Sequence, residues 1–415
     1  MRATVACYTV AVFREEKTVA PNVSKYSIRV LEVGANDLFS ARAKSDYKVS
    51  MNSQFPSQSP TQPLKIGVLT FHRCINYGSF WQARGLVEGL KKRGHDAVLL
   101  DHHSGRVNFR EWRCALRPTW PTPIPAEDYA RYRKKTENFF QAFESLPMSL
   151  QFDLENPEAM DEYDVVVVGS DEVWNLRHPW YAGSTLFYGV GLRASRLVSY
   201  AASFGNFDAS EGLSWDWIER LRHFDAISVR DGNSRSIIEN ALGFAPVSVL
   251  DPCLQFPLEL EGEAPPLEGS YVAVYGHNFS PQFSRNVKQW ASERGCRLLS
   301  IGYRNDWADE QQIEAGPHQF AHLMKNAQAV ATNFFHGCVF ALRFHKPFVC
   351  ETTSYRFHKV RDLMTTVGGQ AHLMNEDATF SDYAARLDQP LDAQIERNIT
   401  ALRGSSDAFL DAALS

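Results

Sequence analysis

Lys65 to Asp101 reads KIGVLTFHRCINYGSFWQARGLVEGLKKRGHDAVLLD. Its opening run, Ile66-Gly67-Val68-Leu69, is short and apolar without alternation, which suits a strand buried on both faces of a parallel sheet. A loop from Phe71 to Gly78 follows. Phe80, Ala83, Val87 and Leu90 then share one helical face, and Gly94 after Lys91-Lys92-Arg93 supplies a C-terminal stop. Ala97 to Leu100 is the next strand. Strand, helix and strand in this succession make a βαβ unit, so the fold class is α/β.

The same alternation extends toward the C-terminus. Val165-Val166-Val167-Val168 is a further buried strand, followed by predicted strands at Leu197 to Ala201, Ala226 to Val229 and Val247 to Leu250. Helices are predicted at Trp215 to Arg222 and Ser234 to Ala241. Phe256 to Gly269 holds three prolines and four glutamates and reads as a linker. Beyond it, strands fit Tyr271 to Tyr275, Leu298 to Ile301, Ala329 to Thr332 and Phe348 to Cys350. Helices fit Gln282 to Glu293, His318 to Ala327, His336 to Phe344 and Leu391 to Leu402. The organisation predicted is a Rossmann-like domain over 64–255, a linker over 256–269 and a second Rossmann-like domain over 270–380. A segment over 381–415 is expected to pack its helix back on the first domain.

Two stretches stand outside this pattern. Residues 104–160 are aromatic, basic and proline-rich, and read as an insertion with one helix around Ala130 to Ala142. Residues 1–63 lack periodicity and end in the polar, proline-rich run Asn52 to Pro63, the mark of a flexible extension or a mis-called start.

A chain of 415 residues is long enough for two domains. A net charge of -5 and a pI near 6.2 give no general affinity for nucleic acid. The seven cysteines form no C-x-x-C pair and read as thiols in a reducing compartment, and His and Cys do not cluster at zinc-ligand spacing. No apolar run approaches the length of a membrane span, and Thr4 to Phe13 lacks the cleavage site of a signal peptide. The predicted location is therefore cytoplasmic. The basic, aromatic stretch from Arg106 to Arg133 reads as a solvated insertion, with contact to the inner face of a membrane left open.

Two doubly wound domains facing each other leave a cleft, and ligands of such sheets bind outside the carboxyl ends of strands. The residues just after each strand are therefore the candidates. Asn333-Phe334-Phe335-His336-Gly337 opens a helix after a strand, where free N–H groups favour an anion and a histidine can donate or move a proton. A capping or packing histidine fits the same spacing. Gly169-Ser170-Asp171-Glu172-Val173-Trp174-Asn175 offers small and acidic groups that can hold a sugar hydroxyl, or an Asx turn. Arg230 could clamp a carboxylate or phosphate, or pair with Asp231. Asn76-Tyr77-Gly78 can present amides to a ligand, and Ser203 lies in the equivalent place after a later strand.

Taken together these pieces resemble the polysaccharide pyruvyl transferase family. Asn76-Tyr77-Gly78 with Gln82 resembles its opening loop and helix. Gly169 to Asn175 resembles its G-S-D-x-x-W-N block, and Ser199 to Gly205 its S-Y-A-A-S-F-G block. Val229-Arg230-Asp231 and Leu250-Asp251-Pro252 are similar to its V-R-[DE] and L-D-P blocks. Thr332 to Gly337, with Lys346-Pro347-Phe348, is similar to its T-x-x-F-H-G and K-P-F blocks. Phe334 and Phe335 are a departure, since many members carry Arg or Ser there.

The resemblance implies a GT-B-like pair of Rossmann-like domains. It implies phosphoenolpyruvate as donor substrate, no cofactor and no metal, and a saccharide acceptor, free or lipid-linked, that receives pyruvate as a ketal. It also implies catalytic roles for His336 and Arg230, with Asp171 orienting or deprotonating the acceptor. Arg230, Asn333, His336 and Gly337 would meet the donor. Asn76, Tyr77, Gly78, Ser170, Asp171, Trp174, Asn175 and Ser203 would line the acceptor side or the cleft. The alternatives are a GT-B glycosyltransferase using a nucleotide-sugar donor and a catalytically silent binding member of the family.

Overall fold

The computed structural model describes residues 62–119, 122–352 and 357–415. The expectation for residues 1–63 therefore falls, up to residue 61, outside the described residues.

The first half is built on β1 (Lys65–Leu69), β2 (Asp96–Leu99), a short pair β3 (His102–His103) and β4 (Phe152–Asp153), then β5 (Tyr163–Val168), β6 (Ala194–Ala202), β7 (Ala226–Val229) and β8 (Val247–Ser248). Its helices are α1 (Tyr77–Lys92), α2 (Gly105–Ala115), α3 (Asp128–Phe143), α4 (Trp215–Leu221), α5 (Gly232–Leu242) and α6 (Pro252–Gln255). The second half holds β9 (Tyr271–Tyr275), β10 (Arg297–Ile301), β11 (Glu310–Gln312), β12 (Ala329–Thr332), β13 (Phe348–Glu351) and β14 (Leu373–Met374). Around them lie α7 (Pro281–Glu293), α8 (Pro317–Asn326), α9 (Phe335–Arg343), α10 (Phe357–Val367), α11 (Phe380–Leu387) and α12 (Ala393–Leu414).

Each half centres on a six-stranded sheet whose pairs are all parallel. The orders are β2-β1-β5-β6-β7-β8 and β11-β10-β9-β12-β13-β14. Chain direction across the sheet reverses between β1 and β5 in the first, and between β9 and β12 in the second. Those are the two topological switch points, where a doubly wound sheet opens a crevice for ligand. Ile66, Val68, Val165, Val167, Val272, Val274, Val330 and Ala331 are all fully buried, the reason their sequence is apolar without alternation.

The largest apolar cluster runs through both halves. It joins Phe80, Trp81 and Leu86 of α1 to Phe320 and Leu323 of α8, Phe340 of α9 and Leu410 of α12. The GT-B-like reading therefore fits a pair of sheets that share a core. Phe256, in the connection between the sheets, lies so close to Gly89 that a Cβ there would sit 2.3 Å from its ring.

Several elements escaped the sequence reading. The 104–160 segment contains α2 as well as α3. On α2 only Val107 and Glu111 are buried, so it carries no apolar period to read. α12 continues to Leu414, held by Ile395, Ile399, Phe409 and Leu410. β8 is shorter than predicted because the Leu250 amide turns to Ser406 Oγ on α12, 3.0 Å away. Cys74, Cys253, Cys296, Cys338 and Cys350 are buried free thiols.

α3 reaches across to the second half. Asn138 Nδ2 donates to Glu314 O at 2.7 Å, Tyr132 Oη accepts from the Arg304 amide at 3.1 Å, and Arg304 Nη1 meets Asp128 at 3.0 Å. α3 is thus a strut between the halves, while much of the stretch from Arg106 to Arg133, including Phe109 and Trp112, is exposed to solvent as expected.

Candidate functional site

The ends of β1, β5, β9 and β12 face one open cleft with a cavity volume of about 120 Å³. Its wall includes Asn76 and Ser79 from the start of α1, Asp171 and Glu172 after β5, Arg230 after β7, His277 after β9 and Phe334, Phe335 and His336 after β12. Glu111 and Lys135 come from α2 and α3, and Lys359 from α10.

The local sequence explains how the first side is set. Asn76 caps α1 by accepting the Ser79 amide at 3.2 Å. Thr70 Oγ1 donates to Ser170 O at 2.9 Å and accepts from Gln82 Nε2, tying the β1 loop to the β5 loop. Asp171 sits at φ 72, a left-handed conformation that Asp tolerates better than most residues. Its carboxylate is fully engaged. Oδ2 accepts from Ser79 Oγ at 2.7 Å, and Oδ1 from Arg230 Nη2 at 3.2 Å and the Glu172 amide at 2.9 Å.

Arg230 and His336 converge on a third residue, Asp251, at the start of α6. Arg230 Nη1 donates to Asp251 Oδ2 at 2.7 Å and to Ser170 Oγ at 3.2 Å. His336 Nε2 stands 3.6 Å from the same Asp251 oxygen, an ion-pair separation rather than a formed hydrogen bond. Burial pushes the Asp251 carboxyl up, but the imidazole and the guanidinium together hold it well below the usual range. Burial likewise works against the charge on Arg230, and the carboxylates of Asp251 and Asp171 outweigh it and push its pKa up. Asp231, the partner weighed from sequence, instead caps α5 through the Ser234 amide at 2.7 Å.

The two phenylalanines before His336 have structural work. The Phe335 ring lies 4.8 Å from the Arg230 guanidinium carbon. Phe334 packs edge-on against Tyr275 at 4.9 Å and Tyr303 at 5.3 Å. Phe334 also occupies the N-cap of α9 and gives no side-chain cap. The amides of the first turn of α9 therefore lack the cap that Asn76 gives α1, an arrangement that favours an anion.

Glycines let the pieces approach. A Cβ on Gly78 would lie 1.9 Å from His336 Nδ1, so the imidazole rests directly on the start of α1. A Cβ on Gly337 would meet Thr332 Oγ1 at 1.9 Å, so Gly337 seats α9 on the end of β12 rather than meeting ligand.

Of the residues singled out from sequence, Asn76, Asp171, Arg230 and His336 line the cleft, and Gly78 backs it. The others are in the core. Tyr77 is fully buried, stacks on Phe320 and donates to Ala315 O at 2.6 Å. Trp174 Nε1 is satisfied by Phe187 O at 2.8 Å. Ser203 Oγ accepts from the Gly205 amide, and Ser170 Oγ donates to Ala201 O. Asn175 ties Glu172 to Asn206, and Asn333 Nδ2 donates to His277 O at 2.8 Å. A strand end packed against a second layer is dense, and only some residues after it face solvent.

Sequence reasoning missed Glu111, Lys135 and Lys359, and gave Glu172 and Asp251 no role of their own within the blocks that contain them. Lys359 forms an ion pair with Glu172 across the two halves. Burial raises the Glu172 carboxyl, yet the Lys359 charge prevails and brings it down to about 2. The charges of the wall are therefore balanced. Lys135, Arg230 and Lys359 are set against Glu111, Asp171 and Glu172.

Asp251, Cys253 and His336 each offer one potential ligand atom, all within 4.8 Å of one another. The guanidinium already on Asp251, and a Cys253 thiol kept protonated by burial and by the Asp251 charge, suit a divalent cation poorly.

A sequence model of the polysaccharide pyruvyl transferase family matches residues 76–355. No curated protein matches the chain. Among solved structures, the glycosyltransferase of kitacinnamycin is similar at 13% identity and a TM-score of 0.42, covering 85% of this chain and 97% of that one. UDP-GlcNAc 2-epimerase from Neisseria meningitidis, bound to UDP-GlcNAc, is similar at 8% identity and a TM-score of 0.43, covering 84% and 99%. The E. coli heptosyltransferase WaaC with ADP is similar at 10% identity and a TM-score of 0.36, covering 81% and 99%.

Proposed function

Because the chain belongs to the polysaccharide pyruvyl transferase family, we propose that it moves the pyruvyl group of phosphoenolpyruvate onto a saccharide as a ketal, without a metal or cofactor. The observation that carries this reading is the meeting of Arg230, His336 and the uncapped start of α9 at one cleft. Phosphoenolpyruvate brings a carboxylate and a phosphate. Helix-end amides and a guanidinium are complementary to both, and fixed donors of this kind stabilise the charge that develops on departing phosphate. His336 is the acid that protonates the methylene carbon or assists phosphate departure. Arg230 presents its guanidinium on the Phe335 ring and is aimed by Asp171 and Asp251. Asp171 thereby orients Arg230 and Ser79 rather than taking a proton itself.

The acceptor is a sugar of a cell-surface polysaccharide or of its precursor. The reaction belongs in the cytoplasm, where the donor is made. No described helix is long and apolar enough to cross a membrane.

The test is thermal unfolding of the protein with phosphoenolpyruvate, and separately with nucleotide sugars. Protection by phosphoenolpyruvate that is lost in Arg230→Met, together with loss of turnover in a folded His336→Ala, is expected. Protection by nucleotide sugars alone would overturn the reading.

A further inference from the structure

Two buried ionisable groups on the insertion face the cleft and have no part in the donor site. Glu111, on α2, accepts the Ile75 amide through Oε1 at 2.8 Å. Its Oε2 is buried and has no hydrogen-bond partner, although the residue lines the cleft. Lys135, on α3, is 4% exposed. Its Nζ donates to Gly302 O at 3.0 Å and lies 4.4 Å from the Tyr303 ring and 4.9 Å from the Tyr77 ring. The two groups sense each other's charge. A purely structural account of Glu111 would need only Oε1. A buried carboxylate oxygen without a hydrogen-bond partner is costly to keep.

The geometry points to Glu111 as the general base that takes the proton of an acceptor hydroxyl, with Lys135 as the positioning residue that sets its charge, so that α2 and α3 form the acceptor subsite. This rests on the pyruvyl-transfer reading. The substrate class it implies is a sugar with two hydroxyls close enough to close a ring on one carbon. Asp171 is less suited to the role, because both its oxygens already accept hydrogen bonds and Oδ1 is paired with Arg230.

The proton balance is complete. As the first hydroxyl oxygen bonds to the enol carbon, its proton passes to Glu111 Oε2, and His336 gives a proton to the methylene carbon, making it methyl. The carbon–oxygen bond to phosphate then breaks, the second hydroxyl closes the ketal, and its proton leaves on the phosphate. Glu111 returns its proton, and His336 regains one, through solvent.

The surroundings set the working pH. Burial pushes Glu111 up to about 7; the Ile75 amide and Lys135 pull it down, and Asp171 pushes it up. Burial brings Lys135 down to about 7 against the pull of Glu111. Cys74 and Tyr181 also feel the Glu111 charge, and burial keeps both protonated. A base of this kind is competent above about pH 7 and is lost as pH falls.

The experiment follows phosphate release from phosphoenolpyruvate with a panel of p-nitrophenyl hexosides and N-acetylhexosaminides, across pH, for wild type, Glu111→Gln, Glu111→Asp and Lys135→Met. Glu111→Gln should lower kcat by about 10²–10⁴, leave KM for phosphoenolpyruvate unchanged and erase the acid limb of the profile. It should still fold, since the amide keeps an oxygen that accepts the Ile75 N–H. Glu111→Asp should keep the acid limb at reduced kcat. Lys135→Met should move the limb to higher pH, a shift that a merely structural lysine would not produce. Glu111→Gln turning over within about threefold of wild type with an unchanged profile overturns the assignment alone. Wild type releasing no phosphate from phosphoenolpyruvate with any acceptor overturns the donor reading and this assignment with it.

Discussion

Replacing Gly78 by alanine tests the seat of the imidazole without touching a polar group. The added Cβ would lie 1.9 Å from His336 Nδ1, 2.2 Å from Cγ and 2.4 Å from Cε1. Ordinary contact begins near 3.4 Å, so the ring must retreat by about 1.5 Å or α1 must lift. The ring is hemmed in by Phe335 and Asp251. Overpacking of this degree costs about 1–3 kcal/mol, against a gain of up to about 1 kcal/mol from putting alanine for glycine in a helix. A misplacement of this size can lower turnover about 10²-fold. The assay is a double-mutant cycle by chemical denaturation, with Gly78→Ala measured alone and in His336→Ala. With the imidazole gone, the alanine should cost nothing or stabilise, giving a coupling of about 1–3 kcal/mol. Equal cost in both backgrounds would refute the contact.

Further outcomes follow from three other contacts. Lys359→Met should destabilise by about 3–5 kcal/mol because it strands a buried Glu172 carboxylate, and adding Glu172→Gln should restore most of the loss. Glu172 falls from 4.5 to about 2 on folding, so its contribution is complete above the unfolded value and lost as pH drops through about 2. Acid titration of unfolding should show a decline on the order of 3 kcal/mol that Glu172→Gln removes. Trp174→Phe should cost about 1–3 kcal/mol for its lost bond to Phe187 O, with protection by phosphoenolpyruvate unchanged; loss of that protection would return Trp174 to the cleft. Asn76→Ala should cost about 1 kcal/mol as a lost helix cap.

The parallel strands were legible because a strand buried on both faces is written locally. Val165 to Val168 need no partner to be recognised as one, nor do Tyr271 to Tyr275. The loops after them were legible as blocks. Which of their residues turn to solvent was not, and Trp174, Tyr77 and Ser203 went to the core. Asn76, Asp171, Arg230 and His336 were found because they follow strand ends, where doubly wound sheets bind ligands.

The sequence by itself determined the α/β class, the restart of the pattern after the Pro- and Glu-rich connection, and the family blocks in their order. Those properties depend on neighbours along the chain. Only the tertiary structure decided that Arg230 and His336 share Asp251, that Lys359 reaches Glu172 from the other half, and that Glu111 and Lys135 of the insertion face the cleft. Charge pairing and desolvation depend on distance in space, and these partners lie too far apart along the chain for any local pattern to join them.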